Sequence, residues 1–310
     1  MTLGGSLIQS ALGRGLPSLV GRTPMVRLRR LEKRNGLKLL AKLEMMNPGG
    51  SVKDRPALYM ILDGERKGLL TPSKIILDAT SGNTGVAYSM IGASLGYRVQ
   101  MVVPANASKL KVEKMRAYGA EIIFTDPLEG MDGAIKKARE IYRSQPDLYF
   151  YPDQYSNPMN PRAHYETTGP EILEQTGGRI THLVAGVGTS GTLLGTAAYL
   201  REHVQDIKIV EVQPEGDFHG IEGLKHMDGS QRPEIYDDDV RDILYKIPTE
   251  EAEIAAWKLA RYEGIIAGTS SGAALAAAMR LSLELDEGVV VIILPDGLPL
   301  GEREVKLRRR

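Results

Sequence analysis

Two kinds of chemistry-bearing residue stand out along this chain: a lysine that follows a Pro-Gly-Gly turn, and three short loops of Gly, Ser and Thr. Lys53 sits in Asn47-Pro48-Gly49-Gly50-Ser51-Val52-Lys53-Asp54-Arg55, where a helical pattern begins. The macrodipole disfavours a cation at the start of a helix. The N–H groups there attract anions, phosphate included. An amine that is penalised as a cation is held more readily in its neutral, nucleophilic form, which Schiff-base chemistry requires. The competing reading of Lys53 taken alone is a solvated surface lysine.

The loops change that balance. Thr80-Ser81-Gly82-Asn83-Thr84-Gly85 follows the apolar run Ile75-Ile76-Leu77, Gly188-Thr189-Ser190-Gly191-Thr192 follows Leu183-Val184-Ala185, and Gly268-Thr269-Ser270-Ser271-Gly272 follows Ile265-Ile266-Ala267. Glycines let backbone N–H groups converge on an anion, and the hydroxyls and amide add donors. In an open α/β sheet such loops cluster at the carboxyl ends of strands, where ligands bind.

With these segments in this order, the chain resembles the cysteine synthase and cystathionine β-synthase family of pyridoxal-phosphate (PLP) enzymes, of the tryptophan-synthase-β fold. It is most similar to the cysteine synthases of the B type. The resemblance runs from Gly21-Arg22-Thr23-Pro24-Met25-Val26 to about Leu294. It implies PLP fold type II: two three-layer α/β domains with PLP in the cleft between them, a smaller mobile one over 47–156 and a larger one from 1–46 plus 157–310. It implies that Lys53 anchors PLP covalently and then serves as general base for the α-proton. It assigns the 5′-phosphate to Gly188, Thr189, Ser190, Gly191 and Thr192, and the phenolic oxygen to Asn83. The substrate carboxylate falls to Thr80, Ser81, Thr84 and Gln154, with an ordinary loop polar group as the bland reading of Gln154. The pyridine nitrogen falls to Ser270. A neutral hydroxyl there leaves the ring a weaker electron sink than a carboxylate would, which suits β-elimination and replacement. The implied activity is PLP-dependent transfer, a cysteine synthase making cysteine from O-activated serine, expected to be O-acetylserine, and a sulfur nucleophile through an aminoacrylate. The implied assembly is a homodimer.

Two departures weaken parts of that transfer. The segment after the last strand reads Leu294-Pro295-Asp296-Gly297-Leu298-Pro299-Leu300-Gly301-Glu302-Arg303 where the family continues through a Gly-Glu-Arg-Tyr type of sequence. The loop Pro214-Glu215-Gly216-Asp217-Phe218-His219-Gly220-Ile221-Glu222-Gly223, which in the family helps select the donor, also diverges.

Three rivals remain. Cystathionine β-synthase chemistry would join serine to homocysteine. An NAD-binding protein is suggested by Gly186-Val187-Gly188-Thr189-Ser190-Gly191, which matches G-x-G-x-x-G, with Glu211 near the end of the next apolar run. That reading leaves Lys53 and Asn83 unexplained. A non-catalytic PLP-binding protein would not require Lys53 together with all three loops.

Composition bounds these readings. The 39 basic and 39 acidic residues cancel, so nothing points to nucleic acid or an anionic membrane. There are 0 cysteines, which excludes disulfides, thiolate metal sites and cysteine nucleophiles. The five histidines, 164, 182, 203, 219 and 226, show no metal-ligand spacing, and no metal is expected. The start of the chain lacks a signal-peptide pattern and no apolar run reaches membrane-spanning length, so the expected location is cytoplasmic.

The elements that must position the candidate residues follow from periodicity. Strands are expected at 37–43, 75–79, 98–103, 121–124, 148–151, 183–186, 207–212, 265–267 and 289–294. Several are continuously apolar, as strands buried on both faces are. Helices are expected at 55–67, 84–95, 108–118, 130–143, 161–175, 192–202, 249–263 and 272–284. The alternation predicts parallel sheets covered by helices. Glu44 and Asp78 close strands and read as structural or capping groups, and His164 as packed or hydrogen-bonded.

Overall fold

The computed structural model describes residues 13–32, 36–229 and 232–297. The readings made for 1–6 and for 298–310 lie outside the described residues. In chain order the elements are β1 (Met25–Arg27), β2 (Leu37–Leu43), α1 (Asp54–Arg66), β3 (Ile75–Ala79), α2 (Asn83–Leu95), β4 (Arg98–Pro104), α3 (Lys109–Ala117), β5 (Glu121–Thr125), α4 (Gly130–Ser144), β6 (Tyr149–Phe150), α5 (Met159–Glu166), α6 (Thr168–Thr176), β7 (His182–Gly186), α7 (Gly191–His203), β8 (Lys208–Pro214), β9 (Ile243–Ile247), α8 (Thr249–Lys258), α9 (Thr269–Leu281) and β10 (Gly288–Leu294). They form two compact units.

The first unit takes residues 13–21 and Asn47–Ala163. Its sheet runs β5-β4-β3-β6 and is parallel throughout. Strand periodicity splits its apolar residues between two faces. Ile76, Val99, Met101 and Val103 pack with Ala57, Leu58 and Ile61 of α1 and with Val86, Met90 and Ile91 of α2. Ile75, Leu77, Ala79 and Val102 pack with Ala134, Ile135 and Ala138 of α4. The result is three layers, each fully buried aliphatic side chain worth about 1.5–3 kcal/mol.

The second unit takes Arg22–Met46 and residues 164–297. Its sheet order is β1-β2-β10-β7-β8-β9, with only β1 antiparallel to its neighbour. β10 shows the same division. Val290, Ile292 and Leu294 face Ala273, Ala274 and Ala277 of α9. Val291 and Ile293 face Leu193, Ala197 and Leu200 of α7. Helices therefore cover both faces of this sheet too, as expected from a continuously apolar strand.

Three readings need correction. Residues 265–267 are not a strand: Ile265 N–H donates to the Leu259 carbonyl, Gly268 N–H to the Asp296 carbonyl, and Ile266 is exposed. The helix expected over 161–175 is two helices, because Pro170 has no N–H to offer the carbonyl of Glu166. The helix expected over 249–263 loosens into a π turn at Leu259–Glu263 and stops at left-handed Gly264. The short β1 and β9 were missed. Both lie at sheet edges, where half-buried residues leave no continuous apolar run.

Candidate active site

In the first unit, Lys53 is the residue immediately before α1 and is half-buried. Its N–H donates to Ser51 Oγ at 3.2 Å, and Ala57 N–H donates to its carbonyl at 3.1 Å. The Asp54 carboxylate accepts the Gly49 N–H at 2.5 Å, which closes the Pro-Gly-Gly turn onto the helix. An acid in the first turn is also where the macrodipole favours one.

The 80–84 loop leaves the carboxyl end of β3 and runs into α2. Thr80 Oγ1 accepts the N–H groups of Gly82 (3.0 Å) and Gly85 (3.1 Å), capping α2 from outside the helix and leaving its own O–H to donate. Ser81 and Asn83 are half-buried, Thr80 and Thr84 buried. At Gly82 a Cβ would meet the stem of buried Lys111 on α3, so that lysine would have to shift to admit a side chain.

Gln154 follows β6, the strand beside β3 in the sheet, and joins this group. Thr84 Oγ1 donates to Gln154 Oε1 at 2.8 Å, and Gln154 Nε2 donates to the Ala79 carbonyl at 2.8 Å. Asn160 Nδ2 donates to the Gln154 carbonyl at 2.8 Å. Both ends of the Gln154 amide are therefore engaged in holding the loop. Asp78, the last residue but one of β3, is fully buried behind it. Its Oδ1 accepts Ala79 N–H at 2.8 Å and its Oδ2 accepts Gln154 N–H at 3.3 Å. Burial first, and then the charge of Asp153, push the Asp78 carboxyl up to about 8.

In the second unit, the 188–192 loop leaves the carboxyl end of β7 and caps α7. Ser190 takes φ 71°, the left-handed region that a side chain adopts only at a cost. A left-handed residue is one half of the paired conformation that turns successive N–H groups toward one side, and the first-turn N–H groups of α7 have no acceptor within the helix. Gly188 is required by close approach: a Cβ would lie 2.2 Å from the Gly223 carbonyl oxygen. Ser270 is buried in the first turn of α9. Ser271 Oγ donates to the Asp296 carbonyl at 3.2 Å, and Gly268 N–H donates to the same oxygen at 3.2 Å. This fixes the start of α9 to the segment after β10. Since β10 and β7 are adjacent and parallel, the 188–192 loop and Ser270 lie along one carboxyl edge of one sheet.

Glu211, the acid on which the dinucleotide reading depends, is fully buried in β8. It accepts from Tyr236 Oη at 2.9 Å and from Gln213 Nε2, and Arg241 lies 3.5 Å away. Its oxygens belong to an internal network. Glu44 is likewise structural, accepting from Thr23 Oγ1 at 2.7 Å.

The model of the family described as pyridoxal-phosphate dependent enzyme matches residues 16–296. The chain belongs to the pyridoxal-phosphate dependent enzymes. It is 48% identical over 286 residues to a cysteine synthase of Aquifex aeolicus, spanning 90% of this chain and 88% of that one. It is 43% identical over 282 residues to cysteine synthase B of Escherichia coli, spanning 91% and 92%. Among solved structures, an O-acetylserine dependent cystathionine β-synthase from Helicobacter pylori superposes with a TM-score of 0.87 at 36% identity, covering 94% of this chain and 98% of that one. The fold is therefore that of the type II PLP enzymes, and the protein is a PLP-dependent enzyme.

The residues present fit the cofactor. The 188–192 loop offers backbone N–H groups and the hydroxyls of Thr189, Ser190 and Thr192 with no acid among them, a donor set suited to a phosphate dianion, although the Ser190 hydroxyl here donates to the Thr189 carbonyl and must turn to reach an anion. Lys53 supplies an amine suited to an aldehyde. Two residues read as structural prove to touch the site. Asp78, expected to be structural or capping, holds Gln154. His164, expected to be packed or hydrogen-bonded, is fully buried on α5 with Nδ1 2.9 Å from Thr168 Oγ1 and Nε2 3.3 Å from Thr192 Oγ1, within the phosphate loop. No local pattern names Gln154 or Thr192 as the partners, because both lie far along the chain.

Proposed function

We propose that this enzyme is a cysteine synthase that replaces the β-substituent of an O-activated serine with a sulfur nucleophile. The observation that carries it is the clustering of Thr80, Thr84 and Gln154 at one sheet edge, in the same unit as the helix-initiating Lys53. When bound, PLP supplies an electron sink for the α-carbon. Lys53 anchors it and moves the α-proton at its Nζ. Thr80, Ser81, Thr84 and Gln154 hold the substrate carboxylate, Asn83 the phenolic oxygen, and Gly188, Thr189, Ser190, Gly191 and Thr192 the phosphate. Ser270 meets the pyridine nitrogen with an uncharged hydroxyl. We further propose a cytoplasmic homodimer. Light scattering of the purified protein tests the dimer.

The donor we propose is O-acetylserine. A phosphorylated serine needs a cation to offset its charge, since an unpaired buried charge costs several kcal/mol. After Pro214 the chain offers Glu215 and Asp217, and Asp217 is engaged by His226 Nδ1 at 2.8 Å. Lys225, whose N–H donates to the Val187 carbonyl at 2.9 Å, is the nearest alternative cation in the sequence to that loop. Holoenzyme given O-acetylserine, O-phosphoserine or serine, each with sulfide or homocysteine, decides the matter by product analysis. Cysteine from O-acetylserine and sulfide should form with the highest kcat/KM. A higher value for O-phosphoserine would overturn the donor. Cystathionine as the dominant product would favour the second reading, which the likeness to the Helicobacter pylori structure keeps in view.

A further inference from the structure

We propose that Asp78 is a positioning residue for the carboxylate subsite: uncharged, it holds Gln154 and the 80–84 loop in place, and once ionised it sets a negative charge behind that loop and weakens binding of the amino-acid carboxylate. The proposal rests on the reading of Thr84 and Gln154 as carboxylate ligands. Its geometry is specific. One oxygen of Asp78 receives the N–H of Ala79, whose carbonyl receives Gln154 Nε2. The other receives the N–H of Gln154 itself. Backbone and side chain of Gln154 are thus tied to the end of β3 by one carboxyl group and its neighbour. The side-chain oxygen of Gln154 then fixes Thr84. A shift of Asp78 has to move both proposed ligands.

The charge state follows from the surroundings. Asp78 has no exposure, and a carboxylate removed from water is disfavoured. The titratable groups that act on it are Tyr88 on α2 and Tyr151, Asp153 and Tyr155 in the segment after β6, and these in turn face Arg139 and Asp132 on α4. Arg139 is paired with Asp153 at 3.1 Å, so the cation on this side already has its anion. Burial and Asp153 raise the carboxyl, while the two backbone N–H bonds and Tyr88 lower it, leaving it at about 8. Asp78 is therefore mostly neutral at pH 7 and gains its charge just above.

The test is the affinity of PLP-loaded enzyme for L-alanine, which has the carboxylate but no leaving group, read from the cofactor's visible absorbance across pH. Asp78→Asn keeps the shape without the proton. Its carboxamide oxygen replaces one acceptor and loses the other, so binding should weaken by a few-fold at low pH. Wild type should lose roughly fivefold more affinity than Asp78→Asn between about pH 6.5 and about pH 9. Asp153→Asn, which removes the charge that raises the Asp78 carboxyl and releases Arg139 to act on it, should move the inflection of the pH profile to lower pH. A dissociation-constant ratio between Asp78→Asn and wild type that stays constant with pH would overturn the proposal, since a purely structural role shifts all pH values alike. If Asp78→Asn does not fold, an unmoved inflection in Asp153→Asn overturns it. Failure of the underlying reading looks different: Gln154→Ala and Thr84→Val would then leave alanine affinity unchanged, or wild type would not bind alanine at all.

Discussion

The two units hold their proposed ligands by different means. Around Thr80, Thr84 and Gln154 the first unit uses side chains: Thr84 bonds to the Gln154 amide, while Thr80, Gln154 and the buried Asp78 carboxyl pin backbone groups of the loop and of the strand end. Around 188–192 the second uses backbone: a left-handed Ser190, a close crossing at Gly188 and the open end of α7. A phosphate is a permanent anion, and fixed N–H dipoles suit it at any pH. An amino-acid substrate comes and goes, and side-chain networks can be rearranged and titrated. The comparison predicts that the first unit responds to pH and to isosteric changes, and the second to changes of backbone space.

The largest effect should come from Lys53. Lys53→Ala should lower kcat by about 10³-fold or more, the range of a lost general base. Borohydride reduction of wild type should place the cofactor on the Lys53 peptide, and the variant should not be labelled. Labelling of another lysine in wild type would remove Lys53 from the mechanism.

The next effect separates the units by stability. Asp78 stays protonated in the folded chain up to about 8 but ionises near 3.8 when unfolded. Between those values the native state binds more protons. Its contribution is fully present below the unfolded pKa and is lost as pH rises toward the folded one, at up to about 1.4 kcal/mol per pH unit. Urea midpoints measured across that window should fall with pH more steeply in wild type than in Asp78→Asn. Parallel lines would show that Asp78 does not carry the shift.

These two residues mark what was legible. Lys53 could be read because its signal is local: Pro-Gly-Gly, a hydroxyl and a helix start lie within seven positions. The strand 75–79 was readable because it opens on the apolar run Ile75-Ile76-Leu77 and is buried on both faces, and 37–43 because five of its seven residues are apolar although Lys38 and Lys42 interrupt them. The break at 166–168 was missed, although Pro170 states it. The edge strand Ile243–Ile247 was missed because half-buried residues carry no clear pattern. Asp78 stayed hidden for another reason: its partner Gln154 is 76 residues away, and only the parallel pairing of β3 with β6 brings them together.

A smaller effect probes the backbone side of the comparison. Gly188→Ala puts a Cβ against a main-chain oxygen, which cannot swing away as a side chain would. The phosphate loop or the 221–225 segment must move, at about 1–3 kcal/mol. PLP affinity should drop by about tenfold or more, with alanine affinity of the fully loaded enzyme little changed. A variant that binds PLP as tightly as wild type would mean that the 188–192 backbone does not hold the phosphate.

The smallest effect concerns a side-chain relay on the phosphate side. To hold phosphate, the Thr192 hydroxyl must donate its proton, so toward His164 it can only accept. His164 Nε2 must then carry the hydrogen, and Nδ1 must accept from Thr168 Oγ1. The opposite tautomer would draw the Thr192 proton to the ring and present lone pairs to the anion. Nitrogen-15 shifts of the holoenzyme should therefore show His164 protonated at Nε2. His164→Ala leaves Thr192 able to donate but unoriented, and PLP affinity should weaken by the value of a single hydrogen bond, about 1 kcal/mol. Thr168→Val should act in the same direction and by less, because the imidazole remains. An Nδ1-protonated ring in the holoenzyme would take Thr192 out of the phosphate site and leave that site to backbone N–H groups, Thr189 and Ser190, which would sharpen the contrast between the two units.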